Sequence, residues 1–313
     1  MYPVSFKELF NNSTLHYVDF GKEDKRFPAF VHFGTVGDSA FVGSDIVFIT
    51  GCSSNHLYAT INELFSFFLA DKDASVVFVD FGISDDFLEY LFSELKEYES
   101  MMKRLHSRGL FYYRKFNFDN FPQWWDISDP LIRGGYSWKV AVIYDVLLES
   151  KRIVIWSDGG NLLPPDINND LVRVYKYGAY TPYSGDNLGK WVHSTTSRFL
   201  AVHKMVRKIM LGRGMCNGAY MLFDYNNVTI MNNVVIPYVQ CAYTRKCISP
   251  YGSSRKNHRQ DQAVISVLMH SAGVRESCHG KYYTQVRTHN DCKALDKCEK
   301  IKSSILYYIG QVY

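Results

Sequence analysis

Apolar runs rich in Val, Ile and Phe, alternating with stretches of helical spacing, constrain this chain more than any other feature. "DIVFITGCSSNHL" (45–57) is a β-branched run stopped by Gly-Cys-Ser-Ser-Asn, and reads as a buried strand and a loop. "LYATINELFSFFLA" (57–70) then carries apolar residues at helical spacing. "ASVVFVDFGIS" (74–84) predicts a second strand, ending in Asp80 and Gly82. "SDDFLEYLFSELKEYESMMKRL" (84–105) predicts an amphipathic helix behind a Ser-Asp-Asp cap. "LFYYRKFNF" (110–118) predicts a third strand, "YSWKVAVIYDVLLES" (136–150) a helix and "KRIVIWSDGG" (151–160) a further strand. Such alternation implies an α/β fold, a mainly parallel sheet with helices on both faces. Ligands bind beyond the carboxyl ends of strands in such sheets. Cys52, Ser53, Asp80, Gly82, Ser157 and Asp158 are therefore expected along one edge.

The second half is less regular. Residues 193–210 predict a helix with a basic face, "GAYMLFDY" (218–225) a strand, and 226–243 either a helix or a strand pair. "DQAVISVLMHSAG" (261–273) predicts a helix begun by Asp and ended by Gly. Residues 1–43 read as a turn-rich N-terminal extension, 44–275 as the core, and 276–313 as a polar, Cys-containing C-terminal extension packed on it.

A net charge of +4 over 313 residues implies neither a nucleic-acid partner nor a membrane surface. No apolar run reaches the ~18–20 residues that span a bilayer. The start, "MYPVSFKELFNNST", lacks the layout of a signal peptide, so a soluble chain without a secretion signal is expected. Aromatic residues make up 16%, either as core or as rings lining a cleft for sugars or nucleobases. Five of seven Cys follow residue 240, and the spacings 241–247 and 292–298 are not those of a CxxC metal or redox site. They read as short disulfide loops in an oxidising compartment or as buried thiols in a reducing one. Asn11, Asn12 and Asn227 begin glycosylation triplets.

Three blocks carry candidate chemistry. In "RIVIWSDGGNLL", Asp158 at a strand end suits a divalent cation bridging a diphosphate, or else caps its own Asp-Gly-Gly turn. In "GMCNGAYMLFD", Asn217 and Gly218 offer an amide and bare backbone to a hydroxylated ligand, or form a turn. In "NHRQDQAVISVL", Asp261 sits at a helix start with Gln262 beside it, after Arg255, Lys256, His258 and Arg259. There it is either a cap favoured by the helix dipole or a ligand-binding carboxylate, with the cations facing solvent or a diphosphate. Patterns for a dinucleotide, a Walker loop, a zincin or a nucleophile elbow are absent, which weighs against a Rossmann dehydrogenase.

The order of these blocks resembles the retaining GT-A glycosyltransferases of the glycogenin and galacturonosyltransferase type. A closer resemblance is to a group of nematode proteins with a glycosyltransferase-like core, through "VVFVDFGIS", "WKVAVI", "VIWSDGG" and "SPYGSSRKNHRQDQ" after a Cys-x5-Cys. It covers about residues 45–300 and implies a GT-A-like, Rossmann-related sheet and sugar transfer from a nucleotide-sugar to a glycan or glycoprotein hydroxyl. It further implies Asp158 as the first acidic residue of a metal motif binding Mn2+ or Mg2+, with Gly160 where the second belongs. Asn161, His279 or His289 would then substitute. Asn217 and Gly218 would contact the sugar, and Asp261 and Gln262 would grip donor or acceptor. Lys139 would meet the nucleotide, as would Cys52, Ser53 and Asp80 at the strand ends, with Arg259 toward the diphosphate. Relatives of this kind work in the secretory pathway, in the Golgi lumen; the missing signal fits the cytoplasm instead. Gly160 also admits a non-catalytic carbohydrate- or partner-binding protein on the same fold.

Overall fold

The computed structural model describes residues 43–129 and 132–313. The expected N-terminal extension, with Asn11 and Asn12, lies outside these except for its last residue. The described chain divides into two units. One comprises 43–116, 154–169 and 284–313; the other, 117–153 and 170–283. Six strands form a mixed, mostly parallel sheet with helices around it, the α/β class expected.

The first unit carries the order β3-β2-β1-β4, with β1 Ile46–Cys52, β2 Ser75–Asp80, β3 Phe111–Lys115 and β4 Ile153–Ser157, of which Val154–Ser157 lie in this unit. β1 pairs β2 and β2 pairs β3 in parallel, and the register sets Cys52 level with Asp80 and Asp80 level with Lys115. The strands are buried, which is why they read as continuous apolar runs. α1 (Leu57–Ala70) stacks Phe67 on Phe48 with ring centroids 4.5 Å apart. α2 (Leu88–Arg104) sets Tyr98 on Phe68 at the same spacing. Many of the aromatic residues are thus core, Trp125 and Trp156 included.

In the other unit, α3 is Ser137–Ser150 and β5 (Ala179–Tyr180) pairs antiparallel with β8 (Tyr220–Asp224). β6 (Tyr183–Asn187) pairs antiparallel with β7 (Gly214–Cys216) as a two-stranded ribbon. The expected helix over 193–210 stops early: α4 is Ser194–Val202, and Lys204 turns left-handed at φ 55°. Only Thr196 and Leu200 of α4 are buried, and the basic residues beyond it give no apolar stripe to continue. The ambiguous stretch 226–243 is helical throughout Val228–Ala242, ending in α5 (Ile236–Ala242), with a π turn over Met231–Val235. Asn227 caps it, accepting from the Ile230 N–H at 3.1 Å. α6 spans Gln260–Ser271 and is buried at nine positions.

The C-terminal segment holds α7 (Leu295–Val312) as well as Cys. Cys298, Lys302, Ile305 and Ile309 form its buried stripe. Asn62 of α1 donates to the Cys298 carbonyl at 3.1 Å, and the buried Lys302 Nζ lies 2.7 Å from Glu94 and 2.9 Å from Glu97. Disulfides join Cys241 to Cys247 and Cys292 to Cys298, the two short loops read from spacing. A third, Cys216–Cys278, was not foreseen. Cys52 is a free, buried thiol.

Candidate functional site

In the unit of 117–153 and 170–283, three stretches distant in sequence converge. The backbone enters α3 through Arg133, Gly134, Gly135 and Tyr136, all at positive φ (47°, 60°, 61° and 56°). A Cβ at Gly134 would run into the Trp125 carbonyl, so only glycine fits there. This entry delivers Lys139 on the first turn of α3. Lys139 is 2% exposed and its ammonium lies 3.3 Å from Oδ2 of Asp261, a residue 4% exposed. Lys139 also donates to the Gly218 carbonyl at 3.0 Å and stands 5.3 Å over the Tyr136 ring.

Gly218 lets bare backbone reach the start of α6. A Cβ there would stand 3.1 Å from Gln262 Cβ and 3.4 Å from Asp261 Oδ2. Gln262 Nε2 donates to the Cys216 carbonyl at 2.7 Å, so its amide ties α6 to β7. Asn217 Oδ1 accepts from the Ala219 N–H at 2.7 Å, and its carbonyl accepts from Thr181 Oγ1 at 2.6 Å. Asp261 is not the helix cap: Arg259 holds that position, Gln260 starts the helix at φ 45°, and Asp261 aims into the fold at Lys139. Arg259 stacks on the Trp191 ring with its guanidinium carbon 4.2 Å from the centroid. That leaves its charged edge on the surface beside the helix start.

His258 is fully buried. Its Nε2–H donates to the Ile248 carbonyl at 2.9 Å while Nδ1 accepts from the His193 N–H at 3.2 Å. Burial pushes its pKa down from 6.5 to about 4, so it is neutral at pH 7. Between those values the unfolded chain holds a proton that the folded chain refuses. Stability should therefore fall as pH drops from 6.5 to about 4, by about 3 kcal/mol in all, and level off below. Thermal unfolding at steps across that window checks this. An unchanged acid sensitivity in His258→Asn would assign the loss to other groups.

The other unit holds Cys52, Ser53, Asp80 and Asp158. Trp156 Nε1–H donates to Asp158 Oδ1 at 2.6 Å. Gly160 turns at φ +98°, and a Cβ on it would collide with Asp291 Oδ1. The C-terminal segment runs along this turn: Asn290 N–H donates to the Gly160 carbonyl at 2.7 Å and His289 N–H to Asn161 Oδ1 at 3.3 Å. His289 thus stands in the unit of Asp158, whereas His279 belongs to the other unit. Asn161 Nδ2 donates to Ser157 Oγ at 3.1 Å. His56 Nδ1 lies 3.6 Å from Asp291 Oδ1.

Asp80 is committed to structure. Its Oδ1 accepts from the Gly82 and Ile83 N–H groups at 2.8 and 2.6 Å, and its Oδ2 from the Tyr113 hydroxyl at 2.6 Å. Burial pushes the Cys52 thiol up to about 12, which makes it inert. Ser53 is half-buried and its Oγ pairs with Asn55 Oδ1 at 2.7 Å.

Glu63 and Asp291 were missed by sequence reasoning. Glu63 is fully buried in α1, where Thr50 Oγ1 donates to it at 2.6 Å. Burial above all, then the nearby Asp158 and Asp291 carboxylates, pushes its pKa well above the usual carboxylate range, while hydrogen bonds from Ser157 and Thr50 oppose this. Its signal was a lone acid within the apolar "TINELFSFF". Among the described residues no group of three or more His, Cys, Asp and Glu is set to hold a metal ion. Asp158 and Asp291 offer hard oxygens at the Gly160 turn. Oxygens of this kind are what a hard cation takes, with phosphate and water commonly completing its ligands.

No family model and no curated protein matches the chain. Solved glycosyltransferase structures are similar to parts of this chain at low identity. Galactosyltransferase LgtC, in complex with donor and acceptor sugar analogues, is 11% identical, with 82% of this chain and 95% of that chain covered and a TM-score of 0.45. Mouse xyloside xylosyltransferase 1 is 8% identical, covering 72% and 81%, at 0.37. The mannosyltransferase PcManGT of Pyrobaculum calidifontis, in complex with GDP-Man and Mn2+, is 13% identical, covering 69% and 55%, at 0.33.

Proposed function

We propose that this chain is a glycosyltransferase that moves a sugar from a nucleotide-sugar to a hydroxyl of a glycan or glycoprotein, with retention. One observation carries the reading. Lys139, Gly218 and Asp261, from three blocks spaced over 123 positions, meet in one buried polar cluster beside Asn217 and Gln262. A charged pair held in low dielectric is a costly way to join two helices, and a fixed carboxylate with an ammonium suits sugar hydroxyls. In the reaction the bond from the sugar C1 to the diphosphate breaks and a C1–O bond to the acceptor forms. The acceptor proton leaves to a departing diphosphate oxygen, so no enzyme base is required. Asp261 orients sugar hydroxyls; Arg259 and Lys139 add positive charge for the diphosphate. In their own unit, Asp158 and Asp291 would be the residues to hold a divalent cation, and such a cation would supply charge neutralisation for phosphate. Cys52 and Asp80 shape the strand ends of their unit.

Three disulfides support an oxidising compartment, and we propose the Golgi lumen of the secretory pathway as that compartment. The described helices include none long and apolar enough to cross a membrane. Gly160 favours one rival, a carbohydrate-binding protein without transfer activity.

A nucleotide-sugar screen with and without Mn2+, reading nucleotide release, tests the reading. Asp261→Asn should keep its fold by circular dichroism and lose on the order of 100-fold in kcat/KM. Release that is absent for every donor, or undiminished in Asp261→Asn, would overturn it. Sugar binding by calorimetry with no effect of nucleotide or metal would support the rival.

A further inference from the structure

α6 has a second end. His270 lies in its last turn, nine residues and so about 13 Å along the axis from Asp261. There, within the same unit, a cavity of about 490 Å³ is lined by Arg213, His270, Arg275, Ser277, His279 and Tyr282. That volume lies in the range of small-molecule sites. No carboxylate lines it. Among the described residues, neither the Arg213 nor the Arg275 guanidinium has an ion-pair partner, and both are exposed. Neighbouring Glu276 is engaged by Lys176 at 2.7 Å and the Tyr177 hydroxyl at 2.9 Å, outside the cavity lining.

The walls are built. His270 donates Nε2–H to the Gly214 carbonyl at 2.8 Å, and burial keeps the ring neutral. The Cys216–Cys278 disulfide ties β7 to the 274–282 segment. Cys278 N–H donates to the Thr181 carbonyl at 3.0 Å, and Thr181 N–H to Ser277 Oγ at 3.2 Å. His279 Nδ1 accepts from the Lys281 N–H at 3.2 Å, which leaves its Nε2–H as a donor. Tyr282 adds a ring 5.6 Å from that of His279.

We propose that this cavity binds a small sugar-sized ligand carrying an oxyanion, a carboxylate, sulfate or phosphate, on Arg213, Arg275 and His279. Guanidinium groups take such planar or tetrahedral oxyanions by paired N–H donors. The sugar body lies on Tyr282 and Val274. The site is separate from Asp261 and acts whether or not that residue grips a donor. The simpler role for the two arginines is to complement the C-terminal dipole of α6, which contributes to stability and binds nothing.

Calorimetric titration of the whole chain with glucuronic acid, glucose 6-sulfate and glucose 6-phosphate, with glucose as the neutral control, tests this. At least one anionic probe should bind, with glucose at least about tenfold weaker. R213Q/R275Q should weaken that probe by about tenfold or more with its fold intact, while D261N leaves it unchanged. Raising salt from about 0.01 to 0.15 M should weaken it too, because the guanidinium groups are exposed. Which probe binds identifies the oxyanion. The proposal fails if no anionic probe binds, if glucose binds equally, or if R213Q/R275Q shifts only the melting temperature.

Discussion

Lys139→Ala is expected to destabilise the chain by about 3–5 kcal/mol, one of the two largest single effects anticipated for it. The substitution strands the Asp261 carboxylate in a site where it is 4% exposed and takes the donor from the Gly218 carbonyl. A buried charge without its partner costs far more than the pair contributes. Lys139→Met combined with Asp261→Leu should recover most of the loss, because two apolar side chains of similar volume need no compensation. Urea unfolding of the wild type, Lys139→Ala and the double variant measures both numbers. A loss under about 1 kcal/mol for Lys139→Ala would mean that water reaches the pair, as in an exposed salt bridge. The recovered double variant then separates stability from function. Folded but unable to bind a nucleotide-sugar, it would show that the pair is kept for the ligand.

What was legible in the sequence follows from where the information lies. β1, β2 and β4 were readable because strands buried on both faces show continuous apolar runs. Their register was not, since pairing Cys52 with Asp80 is set by the neighbouring strand. The strand-end rule located Cys52 and Asp80 but not their surroundings. Cys52 is buried against Thr60, and Asp80 spends both oxygens on its own turn and Tyr113. Residues 226–243 stayed ambiguous because "NNVVIPYVQ" is equally apolar at strand and helical spacing. α7 did leave a signal, the stripe Cys298, Lys302, Ile305 and Ile309, but its lysine disguised a buried position. Lys302 is buried only because Glu94 and Glu97 meet it from α2, which no local pattern reveals. The blocks around Asn217, Gly218, Asp261 and Gln262 were visible; that Lys139 is the partner of Asp261 was not, because the two are 122 positions apart. Asp291 beside Gly160 is a similar case, a contact between segments over a hundred residues apart.

Loss of the Cys216–Cys278 disulfide should cost about 4 kcal/mol, against about 2 kcal/mol for either short loop, since the unfolded chain gains more freedom when a longer loop is opened. The separation is 62 residues for this bond and six for each of the others. Both of its sulfurs are buried, so Cys216→Ala/Cys278→Ala adds a packing loss to the entropic one. Domain stability is commonly about 5–15 kcal/mol, so this variant is expected to be the least stable of the three disulfide knockouts. Urea midpoints of the three double-alanine variants rank them directly. Equal midpoints for Cys216→Ala/Cys278→Ala and Cys241→Ala/Cys247→Ala would defeat the loop-length argument. The same bond holds Arg275, Ser277 and His279 against β7, whereas Lys139 and Asp261 are fixed by their own pairing. Removing it should therefore abolish oxyanion binding at concentrations of urea that leave the Lys139–Asp261 cluster folded.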